Sequence, residues 1–162
     1  MSTTVRSALP ADAAAIAAIW NEGIEERSAT FETRLREPAD CEPLLHRALV
    51  AERGGRVVAW AAALPYSERE CYAGVAEISV YVERDERGAG TGTRLLERLC
   101  AWAEERGLWK LVSKLFPENR ASLALVSRSG FRVVGLHLRH ARLDGDWRDV
   151  LVVERLLGEA AG

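Results

Sequence analysis

The sequence predicts a mixed α/β domain whose elements follow the order β-α-α-β-β-β-α-β-α-β-β. The 162-residue chain is 48% hydrophobic and 28% charged, as in an ordinary globular domain. Short apolar runs of strand length alternate with stretches of helical spacing, and glycine or proline turns separate them. We therefore expect one domain over residues 1–162, with its core over about 4–157 and a short C-terminal tail. The sheet should be mixed and mostly antiparallel, with helices on both faces.

The first half of the chain predicts four strands and two helices. Pro10 and Asp12 open the first helix, in which Ile16, Ile19 and Trp20 follow helical spacing. Pro38 begins a shorter helix that carries leucines up to Leu49. A Gly-Gly pair marks a hairpin turn between the second and third strands. The predicted strands are about 5–9, 48–52, 57–65 and 75–82, and the first helix extends through about residue 26.

The second half predicts two helices and three strands. An apolar stripe from about Gly90 marks an amphipathic helix that ends near Gly107. Asn119 is placed to cap the next helix, which Gly130 closes. The predicted strands are 110–116, 132–142 and 147–156, the last two joined at a turn of Asp144 and Gly145.

Composition excludes several classes of function. The net charge of −2 and the pI near 6.0 give no basic field for nucleic acid. The longest uncharged stretch in the middle of the chain, 57–67, has 11 residues, whereas a membrane span needs about 20. Three scattered cysteines and three unclustered histidines predict neither a disulfide scaffold nor a metal site. The N-terminus shows no signal peptide, so we expect a cytoplasmic protein without membrane or nucleic-acid partners.

A glycine cluster predicts an anion site. Arg87-Gly88-Ala89-Gly90-Thr91-Gly92 lies between a predicted strand and the start of the amphipathic helix. Glycines let backbone N–H groups approach a phosphate, and the helix N-terminus adds partial positive charge. A plain structural turn is the alternative. A P-loop is disfavoured because Thr93-Arg94 follows Gly92, and a dinucleotide fold because the cluster lies past the middle of the chain.

The same residues resemble a known family. Arg87-x-x-Gly90-x-Gly92 is similar to the signature of the GCN5-related N-acetyltransferases, and the Asn119-x-x-Ser122 pattern and Gly130-Phe131 fall where that superfamily has them. Further motifs resemble the phosphinothricin N-acetyltransferase subgroup, over residues 5–156. They are Ala18-Ile19-Trp20-Asn21, Thr30-Phe31, Pro65-Tyr66-x-x-Arg69-x-x-Tyr72, Glu77-x-Ser79-Val80-Tyr81-Val82 and Gly145-x-Trp147-x-Asp149-Val150.

The resemblance implies the acetyltransferase fold, acetyl-CoA as cosubstrate and no metal. The glycine loop, residues 87–92, would hold the pyrophosphate. Main-chain groups of Val80 and Val82, in the predicted strand 75–82, would pair with the pantetheine arm beside a splay in the sheet. Asn119 would bond the pantetheine from the other side, and a plain helix cap is the alternative. The implied coenzyme-binding residues are Val80, Tyr81, Val82, Arg87, Gly88, Ala89, Gly90, Thr91, Gly92, Thr93, Asn119 and Ser122.

Glu77 is the candidate general base. Strand alternation places Glu77, Ser79 and Tyr81 on one face, and a carboxylate inside an apolar run should face a cleft rather than a sealed core. Glu77 lies about 10 Å along the strand from Val80, which leaves room for an amine and a water. By resemblance it would deprotonate the acceptor ammonium. A solvated glutamate on an edge strand is the alternative.

Substrate contacts follow from the resemblance alone. Arg69 matches an arginine of the subgroup and would hold a carboxylate or phosphinate. Phe31 and Tyr72 would form a wall, and His137 or His140 would touch substrate. A surface arginine, core aromatics and an exposed histidine are the alternatives. Val126 departs from the family, because it stands where a Tyr or His would donate a proton to the leaving thiolate.

The implied activity is acetyl-CoA-dependent transfer of an acetyl group to the amino group of a small amino-acid-like substrate such as phosphinothricin or methionine sulfoximine. Such a reaction serves detoxification or antibiotic resistance, and members of the subgroup are typically homodimers. Two alternatives stay open. The acceptor could be another amine, such as a polyamine, an aminoglycoside or a protein N-terminus, or the chain could be a non-catalytic acyl-CoA-binding module.

Overall fold

The computed structural model describes residues 2–162, which form one seven-stranded sheet with four helices. The predicted order of elements is confirmed. The strands are β1 (Thr3–Ser7), β2 (Ala48–Arg53), β3 (Arg56–Pro65), β4 (Val75–Val82), β5 (Lys110–Leu115), β6 (Arg132–Leu143) and β7 (Asp146–Leu156). The helices are α1 (Ala13–Glu26), α2 (Pro38–Cys41), α3 (Thr91–Glu105) and α4 (Arg120–Arg128). Within the described residues, no helix is long and apolar enough to cross a membrane.

The sheet has the spatial order β1-β2-β3-β4-β5-β7-β6. All neighbours are antiparallel except β4 and β5, which run parallel. The parallel pairing covers only three residue pairs and ends at Glu77 and Val112. Beyond that point β4 stays paired with β3, and β5 stays paired with β7. The sheet is therefore open between β4 and β5 along the second half of β4.

Helices cover both faces of the sheet, as the sequence predicts. On one face the α3 stripe of Leu95, Leu96 and Leu99 packs against Ala61 of β3 and Ile78 of β4, and all five side chains are buried. On the other face, residues of α1 pack with Val50, Trp60 and Ala62 in a second cluster. The two clusters hold β4 between helices, so its side chains alternate between two different environments.

The second predicted helix is shorter than the leucine spacing suggests. The α-helical part, α2, has four residues and continues as a 3₁₀ turn over Glu42–Arg47. Pro43 explains this, because it has no N–H to donate to the preceding turn. Leu49 belongs to β2 and not to the helix.

A partly buried ion pair between Arg6 and Asp12 fixes the entry to α1. Asp12, only 6% exposed, accepts hydrogen bonds from the Leu9 backbone N–H and from both terminal nitrogens of Arg6. Hydrogen bonding from Arg6 lowers the pKa of Asp12 below its ordinary value, even though burial acts in the opposite direction. The pair ties β1 to the helix that forms one wall of the candidate active site.

Candidate active site

The opening between β4 and β5 leaves main-chain groups of β4 unpaired within the sheet. The Val75 carbonyl accepts from Tyr66, and the Glu83 N–H donates to Val58, so both of these odd-numbered residues face β3. Because main-chain groups alternate between the two edges of a strand, Val80 and Val82 face the open side. These are the two residues whose main chain would, by the family resemblance, pair with the pantetheine arm.

A large cavity, which we call the loop cavity, lies at the end of this opening. It has a volume of about 940 Å³. Its walls come from the end of α1, from β4, from the glycine loop with the first turn of α3, and from α4. The predicted coenzyme residues that line it are Val80, Tyr81, Val82, Arg87, Gly88, Gly90, Thr91, Gly92, Thr93, Asn119 and Ser122.

The glycine loop suits an anion. Gly88 and Gly90 have φ of +83° and +84°, which a residue with a side chain rarely adopts. Gly90 is the N-cap of α3, so the N–H groups of the first turn, Thr91 to Thr93, have no acceptor within the helix and point along its axis. The donors of this turn and the positive helix end fit a pyrophosphate group.

Arg87 is held by an acidic residue of α1. Its Nη1 and Nη2 donate to the two carboxylate oxygens of Glu26 at 2.9 and 2.7 Å, and its Nε donates to the Val82 carbonyl at 3.1 Å. These hydrogen bonds hold the pKa of Glu26 below, and that of Arg87 above, the ordinary values. Arg87 thus lines the loop cavity with its charge paired to Glu26. The sequence did not predict this partner.

Asn119 caps α4 and also binds across the cavity. Its Oδ1 accepts from the Ser122 N–H at 3.2 Å, as an N-cap does, while its Nδ2 donates to the Ser28 carbonyl at 3.1 Å. The cap is therefore present, and the same amide fastens the loop after α1 to α4.

A second cavity, which we call the acceptor cavity, meets the loop cavity at Ala29 and Tyr81. Its volume is about 410 Å³. It is lined by Ala29, Thr30, Phe31, Glu77, Ile78, Ser79, Tyr81, Lys114, Leu115, Phe116, His140, Ala141 and Val150. Glu77, whose side chain is 41% exposed, lies here with Oε1 3.3 Å from Nζ of Lys114. The candidate base therefore faces a cavity, as its place in an apolar strand requires.

Tyr81 separates the two cavities and is fixed in place. Its ring stacks on Trp60 with the centroids 5.2 Å apart. A Cβ at Gly23 of α1 would come within 2.6 Å of that ring, so only glycine permits this approach. Burial raises the pKa of the Tyr81 phenol. The ring is therefore a rigid neutral wall at the junction.

A bulge in β6 decides which histidine faces the acceptor cavity. The pairing with β7 shifts between His137 and Ala141, and the extra residues include Arg139, whose φ is +48°. The Asp149 carboxylate accepts from the Arg139 N–H at 2.8 Å. His140 lines the cavity. His137 does not, and its ring stacks on the ring of His140 with the centroids 4.3 Å apart. The predicted His137 is thus one ring removed from the cavity.

The remaining predicted substrate residues differ in position. Phe31 lines the acceptor cavity and packs edge-on against Phe116 at 4.9 Å. Arg69 lies over the ring of Tyr72 at 5.5 Å in the β3–β4 connection, and Tyr72 is exposed. Within residues 2–162, which the structure describes, neither Arg69 nor Tyr72 lines either cavity. Their role in substrate binding stays a prediction.

Lys114, which pairs with Glu77, was not singled out from the sequence, whereas Val126 was marked as a departure from the family. Lys114 lies two residues beyond Val112, the partner of Glu77, and therefore on the same face of the sheet. Only the strand register would have revealed it. Val126 is 4% exposed and packs in the core, so it offers no proton to the cavity. Across residues 2–162, no three His, Cys, Asp or Glu side chains are arranged to hold a metal ion.

Comparison with known proteins decides the family. A sequence model described as "Acetyltransferase (GNAT) family" matches residues 14–131. This chain belongs to the GNAT acetyltransferases. The L-methionine sulfoximine/L-methionine sulfone acetyltransferase of Pseudomonas aeruginosa is 30% identical over 95% of this chain and 94% of that protein. The phosphinothricin N-acetyltransferase of Alcaligenes faecalis is 34% identical over 95% of this chain and 82% of that protein.

A solved GNAT structure carries the coenzyme. The phosphinothricin acetyltransferase of Sinorhizobium meliloti, in complex with acetyl-CoA, superposes with a TM-score of 0.90 at 27% identity. The match covers 98% of this chain and 90% of that one. The GNAT chain described here is accordingly an N-acetyltransferase that uses acetyl-CoA.

Proposed function

We propose that this enzyme transfers the acetyl group of acetyl-CoA to the α-amino group of a small amino acid of the phosphinothricin or methionine sulfoximine type. One observation carries the proposal. The loop cavity, with its anion-binding turn, meets a smaller cavity at Tyr81, and the smaller cavity contains a carboxylate at Glu77. A thioester delivered along β4 would therefore arrive beside a base. The names of the two relatives support the acceptor class.

The loop cavity would hold the coenzyme through this chain's backbone. The N–H groups from Gly88 to Thr93 would bind the pyrophosphate, and Arg87 would add charge beside them. Val80 and Val82 would pair with the pantetheine arm in the manner of an added strand. Asn119 and Ser122 line the wall of the loop cavity that α4 forms. With the pantetheine arm paired to β4, the thioester would lie near Val80. When bound, the coenzyme supplies the activated acetyl group.

Glu77 would act as the general base. An α-amine is mostly protonated at neutral pH, so it must lose a proton before it can attack a carbonyl carbon. Glu77 takes that proton, directly or through one water, and a C–N bond then forms while the C–S bond breaks. The Val80 N–H would polarise the acetyl oxygen. With Val126 in the core, the electrons of the C–S bond leave as a thiolate and need no acid at that position.

We further propose that the chain works as one catalytic domain in the cytoplasm, as a homodimer, and that it serves detoxification or resistance. Strand β6 supports the dimer, because it lies at the edge of the sheet and exposes Val133, Val134, Leu136 and Leu138. A row of exposed apolar residues on an edge strand is typical of a subunit interface.

The proposal is tested with purified enzyme, acetyl-CoA and a thiol-release assay. The panel contains L-phosphinothricin, L-methionine sulfoximine, L-methionine sulfone, spermidine, an aminoglycoside and a peptide with a free N-terminus. The proposal expects turnover of at least one of the three amino acids, with a kcat/KM at least about tenfold above the other amines. Turnover confined to the polyamine, the aminoglycoside or the peptide contradicts the acceptor class and leaves the acetyltransferase assignment intact.

A further inference from the structure

The acceptor cavity contains an ion pair whose two members both face solvent. Glu77 Oε1 and Lys114 Nζ are 3.3 Å apart, and their side chains are 41% and 42% exposed. Among the described residues that line this cavity, Lys114 is the only lysine or arginine. The cavity therefore presents one negative and one positive group side by side, with room above both.

The divergence of β4 and β5 creates this arrangement. Val112 is the last residue of β5 that pairs with β4, and Lys114 follows it on the same face. Its ammonium reaches back across the opening to Glu77. Lys110, on the same strand face, is already paired with the buried Glu154 at 3.1 Å. Of these two lysines of β5, Lys114 is the one that lines the cavity.

We propose that Lys114 recognises the α-carboxylate of the acceptor while Glu77 receives its α-ammonium. The inference rests on the proposed function and deepens it. An α-amino acid carries its two charges on one carbon, at a separation similar to that of the Glu77–Lys114 pair and in reverse order. When the acceptor docks, each of the four charges keeps an opposite partner, so charge-assisted hydrogen bonds compensate the loss of water.

The same arrangement selects against amines that lack a carboxylate. Such an amine brings a second positive charge to Glu77, where it competes with Lys114 and leaves the cavity with unbalanced charge. Specificity would therefore reside in a residue outside the family signature. Arg69, which the family resemblance implies as the anion-binding residue, lies outside this cavity with its guanidinium over Tyr72.

The test compares one acceptor with its own amide. We measure kcat/KM for L-methionine sulfone and for its α-carboxamide, which lacks the carboxylate charge. Because the amide also has the lower α-amine pKa, both compounds are assayed across pH and compared at equal fractions of free amine. In the unaltered enzyme we expect the free acid to be preferred. Lys114→Gln should lower kcat/KM for the acid about 10- to 100-fold, mainly through KM, and change that for the amide less than about threefold. Lys114→Arg should restore part of the preference.

Two controls separate the possible failures. Calorimetric binding of acetyl-CoA to Lys114→Gln, equal to that of the unaltered enzyme, shows that the variant is folded. Arg69→Gln should leave the ratio of acid to amide unchanged. A ratio that collapses in Arg69→Gln and persists in Lys114→Gln overturns the inference, as does equal turnover of acid and amide by the unaltered enzyme. If another of the three amino acids is the better acceptor, the acid and amide of that compound are compared instead, and turnover of none of the three overturns the proposed function together with the inference.

Discussion

Glu26 and Arg87 form a two-point ion pair at the rim of the loop cavity, with Oε1–Nη2 and Oε2–Nη1 distances of 2.7 and 2.9 Å. Glu26 also accepts from Nε of Arg84 at 3.1 Å. A carboxylate beside a pyrophosphate site is unfavourable unless cations neutralise it. The pair therefore has two effects. It orients the Arg87 guanidinium, and it neutralises the negative charge of Glu26 beside the proposed pyrophosphate site.

The first prediction concerns this cancellation. Arg87→Gln should weaken acetyl-CoA binding about tenfold, because it removes a cation and also leaves Glu26 partly unpaired. The double variant Glu26→Gln/Arg87→Gln should bind acetyl-CoA more tightly than Arg87→Gln alone. Isothermal titration calorimetry of the four proteins completes a double-mutant cycle. Additive losses in the double variant would show that the two side chains act independently and would contradict this account.

Two glycines of the loop form a matched pair for the second prediction. Gly90 has φ +84°, so Gly90→Ala should destabilise the fold by about 1–2 kcal/mol and weaken acetyl-CoA binding. A Cβ at Gly92 would meet Leu125 and Val82 at an ordinary 3.5 Å, so Gly92→Ala should change stability by less than about 0.5 kcal/mol. Urea unfolding measures both. Equal stability losses at the two positions would contradict the role assigned to the left-handed turn.

The third prediction concerns the β6 bulge. Asp149→Ala removes the acceptor of the Arg139 N–H, which should loosen the bulge and move His140. We expect the acceptor KM to rise about tenfold with the acetyl-CoA KM unchanged. Asp149→Asn keeps an oxygen at that position and should stay near the unaltered value. Steady-state kinetics of both variants checks this, and an asparagine variant as impaired as the alanine one would argue against positioning through this hydrogen bond.

The fourth prediction follows from the lowered pKa of Asp12. A carboxylate whose folded-state pKa is depressed stabilises the fold above its unfolded pKa, here about 3.8, and loses that contribution as the pH falls through the folded value. Asp12→Asn should therefore cost about 2 kcal/mol at pH 7 and distinctly less near pH 3. Urea unfolding at the two pH values measures the difference. A cost that is the same at both would contradict the ionic origin of the effect.

Periodicity and turn residues predicted nearly all of the fold. Strand β4 matches its predicted limits, and α3 lies within two residues of its own, because alternation and an apolar stripe are local properties of the sequence. Two elements differ from their predictions. Strand β1 spans Thr3–Ser7 and not 5–9, and α2 is shortened for a local reason, since Pro43 ends regular helical bonding. Parallel pairing of β4 with β5 and its early end are long-range properties, which no local pattern encodes.

The same distinction between local and long-range properties applies to the residues of the candidate site. Glu77 and the glycine loop could be predicted, because a carboxylate in an apolar strand and a glycine cluster before a helix are unusual within a few residues of sequence. Lys114 could not, because its proximity to Glu77 depends on the register between two strands and on their divergence. The pairing of Arg87 with Glu26 joins residues 61 positions apart and depends on how α1 packs on the sheet.

The most direct test of the account is the turnover of Glu77→Gln across pH. Glutamine keeps the size of the side chain and cannot accept the proton, so kcat with an amino acid acceptor should fall about 10²- to 10⁴-fold near neutral pH. The rate should recover in part at alkaline pH, where the free amine is abundant, and the acetyl-CoA Kd should stay unchanged. Turnover equal to that of the unaltered enzyme at every pH would contradict the assignment of Glu77 as the base.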